Sequence, residues 1–282
     1  MHSLIRIDDW SAADIHEVFG MADAYQSRRG PRFEGSIVTF FPSTSLRTCV
    51  AFERGLAMMG LQPILFPPET LDRPEDPADV VGFLQPWVRA LIVRHPDMKK
   101  IEQLAASSEV PVINAMTDIN HPCEILSDLY SLQRDHDIER LRFVYVGARS
   151  NTLHSWQEAS RALGLDLTQC CPSGLEVPGI QWKEDIHEAV RDADVIMTDR
   201  SESQDPRLAR YQITEQLLDE APAGALFDPC PPFTRGTEIS AGSLDHPAFV
   251  GHRFKSALLP VQQAITAFCL GADRQDRIEN LT

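Results

Sequence analysis

The chain has 282 residues, enough for two domains of ordinary size, with the 43% hydrophobic and 24% charged content of a globular protein in water. A formal net charge of -15 argues against nonspecific nucleic-acid binding, and an anionic ligand would need a local positive site that defeats this global field. The apolar runs fall short of the ~20 residues that span a bilayer, and the opening MHSLIRIDDW lacks a signal-peptide core.

In chain order, SIVTFF (36–41) reads as a strand and LRTCVAFERGLAMMG (46–60) as the helix after it. QPILF (62–66) and ALIVRH (90–95) are the next strands, separated by the helical pattern DPADVVGFLQPWV (76–88). DMKKIEQLAASS (97–108) precedes the strand VPVINA (110–115), and CEILSDLYSLQRDHD (123–137) follows it. The second half repeats the alternation: strand RFVYVG (142–147), helices NTLHSWQEASRALG (151–164) and DIHEAVRDA (185–193), strands DVIMTD (194–199) and ALFDP (225–229). A final helix is predicted in LPVQQAITAFCLGA (259–272). Short β runs alternating with helices imply two α/β domains with doubly wound parallel sheets. The charged stretch at 134–141 suggests a boundary there: a first domain at 1–136, a second at 137–260, and a helix at about 261–282 returning to the first.

Ligand sites in such sheets lie beyond the carboxyl ends of the strands. After the first strand, Ser45, Leu46, Arg47 and Thr48 open a helix, where free amides, hydroxyls and a planar guanidinium favour an oxyanion. The plainer reading is an ordinary N-cap with a surface arginine. Two further strand ends carry Arg94 with His95, and His121, which together describe an oxyanion and phosphate pocket.

These residues resemble the aspartate/ornithine carbamoyltransferase family. Ser45, Leu46, Arg47, Thr48 and Cys49, followed by VAFE, stand where that family has Ser-Thr-Arg-Thr-Arg before x-Ser-Phe-Glu. RHP (94–96) is similar to the aspartate enzymes, and HPCEILSDL (121–129) to the His-Pro-x-Gln-x-Leu-x-Asp segment. YVGARSNTLHS, DPCPPFTRGTEIS and HRFKSALLPVQQAI resemble later family segments in the right order. The resemblance implies an enzyme that moves the carbamoyl group of carbamoyl phosphate to the amino group of an amino acid or related amine, with no cofactor and no metal. It implies catalytic roles for Arg47, Thr48, Arg94 and His121, with Ser45, Leu46, Arg73 and Glu124 completing the carbamoyl phosphate site. Asn151, Asp199, Cys230, Pro231 and Arg253 would contact the acceptor. It further implies a homotrimer in which Arg73 is lent to a neighbour's site.

This sequence departs from the family at Leu46, Cys49 and Glu124, the last standing where the family has glutamine. Pro229 replaces the family's histidine, and the Ser-Met-Gly loop of ornithine enzymes is replaced by RSESQDPRLARYQ (200–212). The expected acceptor is therefore an amine other than ordinary ornithine or aspartate, such as a diamino acid of specialised metabolism. Two rivals remain: a noncatalytic relative that binds an anion, favoured by Glu124 and the altered loop, and a dinucleotide-binding oxidoreductase, disfavoured because VYVGARSN lacks GxGxxG. Six cysteines without a CxxC pair suit a reducing, cytoplasmic setting. Neither nucleic acid nor membrane is an expected partner.

Overall fold

The computed structural model describes residues 2–200, 203 and 205–272. The chain divides into two units, Met1–Tyr130 with Ala257–Thr282, and Ser131–Ser256.

The first unit opens with α1 (Ala12–Gln26), started by a reciprocal cap in which Ser11 Oγ accepts from the Asp14 amide at 3.2 Å and the Ser11 amide donates to Asp14 Oδ2 at 2.9 Å. There follow β1 (Ser36–Phe40), α2 (Leu46–Met59), β2 (Gln62–Phe66), α3 (Pro77–Leu84), β3 (Leu91–Arg94), α4 (Met98–Ser107), β4 (Val112–Met116) and α5 (Pro122–Gln133). α2 stops at Gly60, whose φ of 89° is a left-handed cap that glycine adopts freely. The strands pair in parallel in the order β2-β1-β3-β4. Leu91, Ile92 and Val93 are wholly buried, as a parallel sheet covered on both faces requires.

The second unit contains β5 (Arg142–Val146), α6 (Asn151–Leu163), β6 (Asp166–Cys170), β7 (Gln181–Lys183), α7 (Ile186–Arg191), β8 (Val195–Thr198), α8 (Glu215–Leu218), β9 (Leu226–Pro229) and α9 (Gly251–Lys255). Its sheet is also parallel, ordered β7-β6-β5-β8-β9. A last helix, α10 (Leu258–Cys269), packs against α1 and α2 of the first unit, and its Phe268 meets Trp10 edge-on at 5.0 Å. Residues 273–282, part of the predicted returning helix, lie outside the described residues.

Strand order fixes where a ligand can sit. From β1 the chain turns to β2 on one side and reaches β3 on the other, so the crevice between β1 and β3 is the switch point of the first sheet. In the second sheet the equivalent crevice lies between β5 and β8. Five elements absent from the predicted set appear: α1, β6, β7 and the short helices α8 and α9.

One strand-edge pair gives a test. The Arg142 guanidinium donates from Nε to Asp194 Oδ2 at 3.0 Å and from Nη2 to Oδ1 at 3.1 Å, while the Arg142 amide reaches Oδ2 at 2.9 Å. The Arg142 side-chain bonds, first among the causes, hold the Asp194 carboxyl below its usual value. Because the folded value is depressed, the stabilisation is complete above the ordinary carboxylate pKa of ~3.9 and disappears as pH falls through the lowered value. Both side chains are partly exposed, so Arg142→Met is expected to cost only about 0.5–1 kcal/mol at pH 7. Urea unfolding at pH 7 and below pH ~3.5 checks this. A deficit that persists undiminished at the acid end would contradict the assignment.

Candidate active site

At the switch point of the first sheet, the β1–α2 loop turns tightly, with the Ser45 amide donating to Pro42 O at 2.9 Å and the Leu46 amide to Thr44 O at 2.9 Å. This places Ser45 at the N-cap of α2, yet its hydroxyl makes no cap bond. It accepts instead from Arg94 Nη1 at 3.0 Å, so the last residue of β3 is tied across the crevice to the start of α2. Thr48, one turn into α2, is 4% exposed, whereas Leu46 is 70% exposed and Arg47 is also exposed. The first amides of α2 have no intrahelical acceptor, so the loop offers backbone and side-chain donors together. Cys49 is half-buried, and burial, then the Glu53 charge, pushes its thiol up.

The third strand end supplies His121 and Glu124, both buried, at the start of α5. A polar knot that the motif reading did not single out holds this loop. Thr117 Oγ1 donates to Asn120 Oδ1 at 3.0 Å, and Asn114 Nδ2 donates to the same oxygen at 2.7 Å. Asn120 Nδ2 reaches Ile5 O at 3.0 Å, and the amides of Ile119 and Asn120 donate to Thr117 Oγ1. With Asn114 and Asn120 fully buried, the turn before His121 has little freedom.

Arg73 lies beyond β2, at the end of a short 3₁₀ turn, and is exposed. Its neighbour Asp72 is anchored: His95 Nδ1 accepts from the Asp97 amide at 3.0 Å, so Nε2 carries the proton and donates to Asp72 Oδ1 at 3.0 Å. Lys100 also donates to Asp72, and these partners, Lys100 foremost, hold its carboxyl below the ordinary value. The second residue of the RHP segment is therefore structural here, fixing the loop that carries Arg73 to the end of β3.

In the second unit the switch point carries Asn151, the first residue of α6, and Asp199, which follows β8. A chain of hydroxyls serves Asp199. Thr152 Oγ1 donates to Asp199 Oδ2 at 2.8 Å, Ser150 Oγ lies 2.9 Å from Thr152, and Tyr145 Oη lies 2.7 Å from Ser150. Tyr145 is buried, and burial first, then the Asp199 charge, pushes its phenol well above the ordinary value, so it remains a neutral hydroxyl. Thr152 and Tyr145 were given no role, although both stand in the quoted segment YVGARSNTLHS beside Asn151.

Asp199 borders a cavity of about 500 Å³, also lined by Thr198, Arg200, Tyr211, Gln212 and Glu238. Cys230 is linked to this end of the sheet by its amide, which donates to Thr198 O at 2.8 Å, and Pro231 follows it. Cys230, Pro231 and Asn151 do not line that cavity, nor does Arg253, which sits in α9 with its guanidinium 5.6 Å from the Phe254 ring. Among the described residues no group of three or more His, Cys, Asp or Glu is placed to hold a metal ion.

Each unit is thus a parallel α/β sheet with chemistry-bearing side chains at its switch point, guanidinium and hydroxyl donors in the first and a hydroxyl-supported carboxylate in the second. The chain matches the carbamoyl-P binding domain of aspartate/ornithine carbamoyltransferase over residues 2–134 and the Asp/Orn binding domain over residues 139–269. It belongs to the aspartate/ornithine carbamoyltransferase family, which is a family of enzymes. Among curated relatives it is 34% identical to the ornithine carbamoyltransferase of Syntrophus aciditrophicus, covering 93% of this chain and 97% of that one. It is 33% identical to that of Chromohalobacter salexigens over 83% of this chain and 84% of that one. The solved ornithine carbamoyltransferase from Pyrococcus furiosus superposes with a TM-score of 0.89 at 29% identity, covering 97% of this chain and 98% of that one. No described helix is long and apolar enough to cross a membrane.

Proposed function

We propose that the protein transfers the carbamoyl group of carbamoyl phosphate to the amino group of a small amino acid that carries a second amine. The observation that carries this reading is the 3.0 Å bond from Arg94 to Ser45, which brings the ends of β1 and β3 together as one set of oxyanion donors. A neutral amine attacks the carbamoyl carbon, negative charge grows on the carbonyl oxygen, and the C–O bond to phosphate breaks. Arg47, Ser45, Thr48 and the amides opening α2 hold the phosphate and stabilise its charge as it leaves. Arg94, His121 and the Thr48 hydroxyl stabilise the carbonyl oxygen. No covalent nucleophile is needed, because positioning and fixed donors supply the catalysis. Leu46 shapes the loop rather than donating, since its amide is held by Thr44 O and its side chain is exposed. Glu124, buried in the first turn of α5, accepts from the carbamoyl NH2.

On the acceptor side Asp199 receives the amino group, with Asn151, Cys230, Pro231 and Arg253 as further acceptor contacts. The names of the relatives make ornithine the first acceptor to test. The segment 200–212 departs from the ornithine-enzyme loop, and its described residues Arg200, Tyr211 and Gln212 line the cavity beside Asp199, which makes other diamino acids the next. Mass-spectrometric detection of carbamoylated product across an amine panel tests the reading. Absence of product with every amine overturns it and leaves the anion-binding relative.

Supply of Arg73 to a neighbouring copy in a trimer belongs to the same proposal. It is supported by exposed apolar side chains on the first unit, among them Leu46, Val50, Leu65, Phe66 and Phe83.

Thr152→Val removes the hydroxyl that donates to Asp199 while keeping its shape. A bond to a charged group is worth ~1.5–3 kcal/mol, so the acceptor KM is expected to rise roughly tenfold or more, with the carbamoyl phosphate KM unchanged. An unchanged acceptor KM, or equal losses for both substrates, would remove Asp199 from the acceptor site.

A further inference from the structure

A second cavity, of about 430 Å³, opens between the carboxyl ends of α1 and α2 and the middle of α10. It lies away from the Ser45–Arg94 crevice. Arg54 and Met58 on its wall belong to the far half of α2, a helix of 14 residues and hence ~21 Å long whose other end carries the phosphate loop.

Three arginines line it, Arg28, Arg32 and Arg54, and among the described residues none that lines it carries a carboxylate. In a chain of formal net charge -15 this is a local inversion of the field. Each guanidinium offers a planar fork suited to a carboxylate or phosphate. Arg32 uses one N–H on the Met58 carbonyl at 2.8 Å, which fixes its side chain against the last turn of α2. Arg28 stands in the turn after α1 with φ of 58° and is the one non-glycine residue with positive φ among the described residues. Glycine would adopt that backbone without cost, so the position carries a guanidinium at the expense of local strain.

Gln263 completes the wall from α10 and is 3% exposed. Its Nε2 donates to the Gly55 carbonyl at 3.1 Å, which sets the orientation of the amide, because that carbonyl can only accept. Its Oε1 is buried with no hydrogen-bond partner. A buried acceptor left unmatched beside three arginines calls for a ligand that brings both negative charge and a donor. Tyr25, Pro31 and Met58 add an apolar floor. A cavity of about 430 Å³ falls within the roughly 300–1,000 Å³ of small-molecule pockets and exceeds what one oxyanion fills.

We propose that this cavity is a second binding site, for a small polyanion bearing at least one N–H or O–H donor, separate from the substrate sites. Titration calorimetry on the whole protein with citrate, ATP and inorganic phosphate tests it. An Arg47→Ala background weakens binding at the proposed donor site. One citrate or ATP per chain should bind there, more tightly than phosphate. Combining Arg28→Gly with Arg54→Ala should weaken that binding at least ~10-fold, the loss expected for charge-assisted pairs. Arg28→Gly alone should melt at or above the wild-type temperature, which separates lost binding from lost folding. Binding of citrate alone or of ATP alone supports the site and names its ligand class. Binding of neither, binding only of inorganic phosphate, or binding that survives the double substitution unchanged overturns it.

Discussion

Arg94→Ala is expected to lower kcat by roughly 10²–10³, the typical cost of deleting one oxyanion donor. The loss should fall on turnover more than on donor affinity, because in the proposed reaction the charge facing Arg94 develops on the carbonyl oxygen. Arg94 ends a strand whose preceding residues are wholly buried, so its Cα is fixed, and the Ser45 hydroxyl at 3.0 Å fixes its fork. Stability should change little, since the side chain is only partly buried. Arg94→Lys keeps the charge but cannot span both Ser45 and an oxyanion, so it should recover only a small part of the loss. Ser45→Ala leaves the guanidinium present but unanchored and should fall between. Steady-state kinetics with the acceptor identified in the amine panel provides the check. Near-wild-type kcat in Arg94→Ala at saturating donor would remove the end of β3 from the chemistry.

The largest structural effect is expected at Phe227, in the middle of β9. Its side chain is fully buried within the core of the second unit, 6.3 Å from the Phe249 ring. The backbone is held independently: its amide donates to Ala248 O at 2.7 Å, its carbonyl accepts from the Val250 amide at 3.0 Å, and β9 pairs with β8. Phe227→Ala therefore keeps the strand and empties a ring-sized volume, which costs about 3–5 kcal/mol. Denaturant unfolding followed through the buried Trp156, with Trp10, Trp87 and Trp182 replaced by phenylalanine, reports this unit. Phe249→Ala, at a half-buried position, should cost distinctly less. Asp228, Pro229 and Cys230 follow Phe227 directly, so acceptor use should weaken as the strand loosens. A loss below ~1 kcal/mol would mean that the core collapses into the gap.

The alternation of apolar runs and helical spacing was enough to place seven strands and the residues at their carboxyl ends, since the inner parallel strands are buried on both faces and even the largely exposed edge strand β2 keeps an apolar run, Ile64 to Phe66. Strand β6 escaped because its sequence, DLTQC, puts a buried glutamine mid-strand. Gln169 is wholly buried, donating to Gly147 O and Leu175 O and accepting from the Val177 amide at 2.7 Å. Its polarity is satisfied by the backbone of Gly147 and of the loop just after β6, bonds that the apolar pattern of a strand does not show. β7 has three residues, two of them exposed, and leaves almost no periodicity to read. α1 was passed over although Ile15, Val18, Phe19 and Ala22 have helical spacing behind a Ser11–Asp14 capping pair. At the site, Arg47, Thr48, Arg94 and His121 could be picked out because chemistry-bearing residues punctuated strand ends. Thr117 and Asn120, which hold the turn before His121, and Thr152, which donates to Asp199, could not, because their value lies in partners that only folding brings near.

The packing of α10 against α1 and α2 has a consequence for biosynthesis. A ribosome emits the sheet of the first unit early, but the helix that covers α1 and α2 emerges only after all of Ser131–Ser256 has been made. Nearly every side chain of α10 is buried in the finished molecule, so its partners' apolar faces stay uncovered throughout that interval. The second unit, contiguous in the chain, can complete itself first, inverting the usual amino-terminal-first order. A nascent chain halted near residue 256 would thus hold a finished second unit beside an unfinished first one, and chaperone capture should peak there and fall as α10 is released.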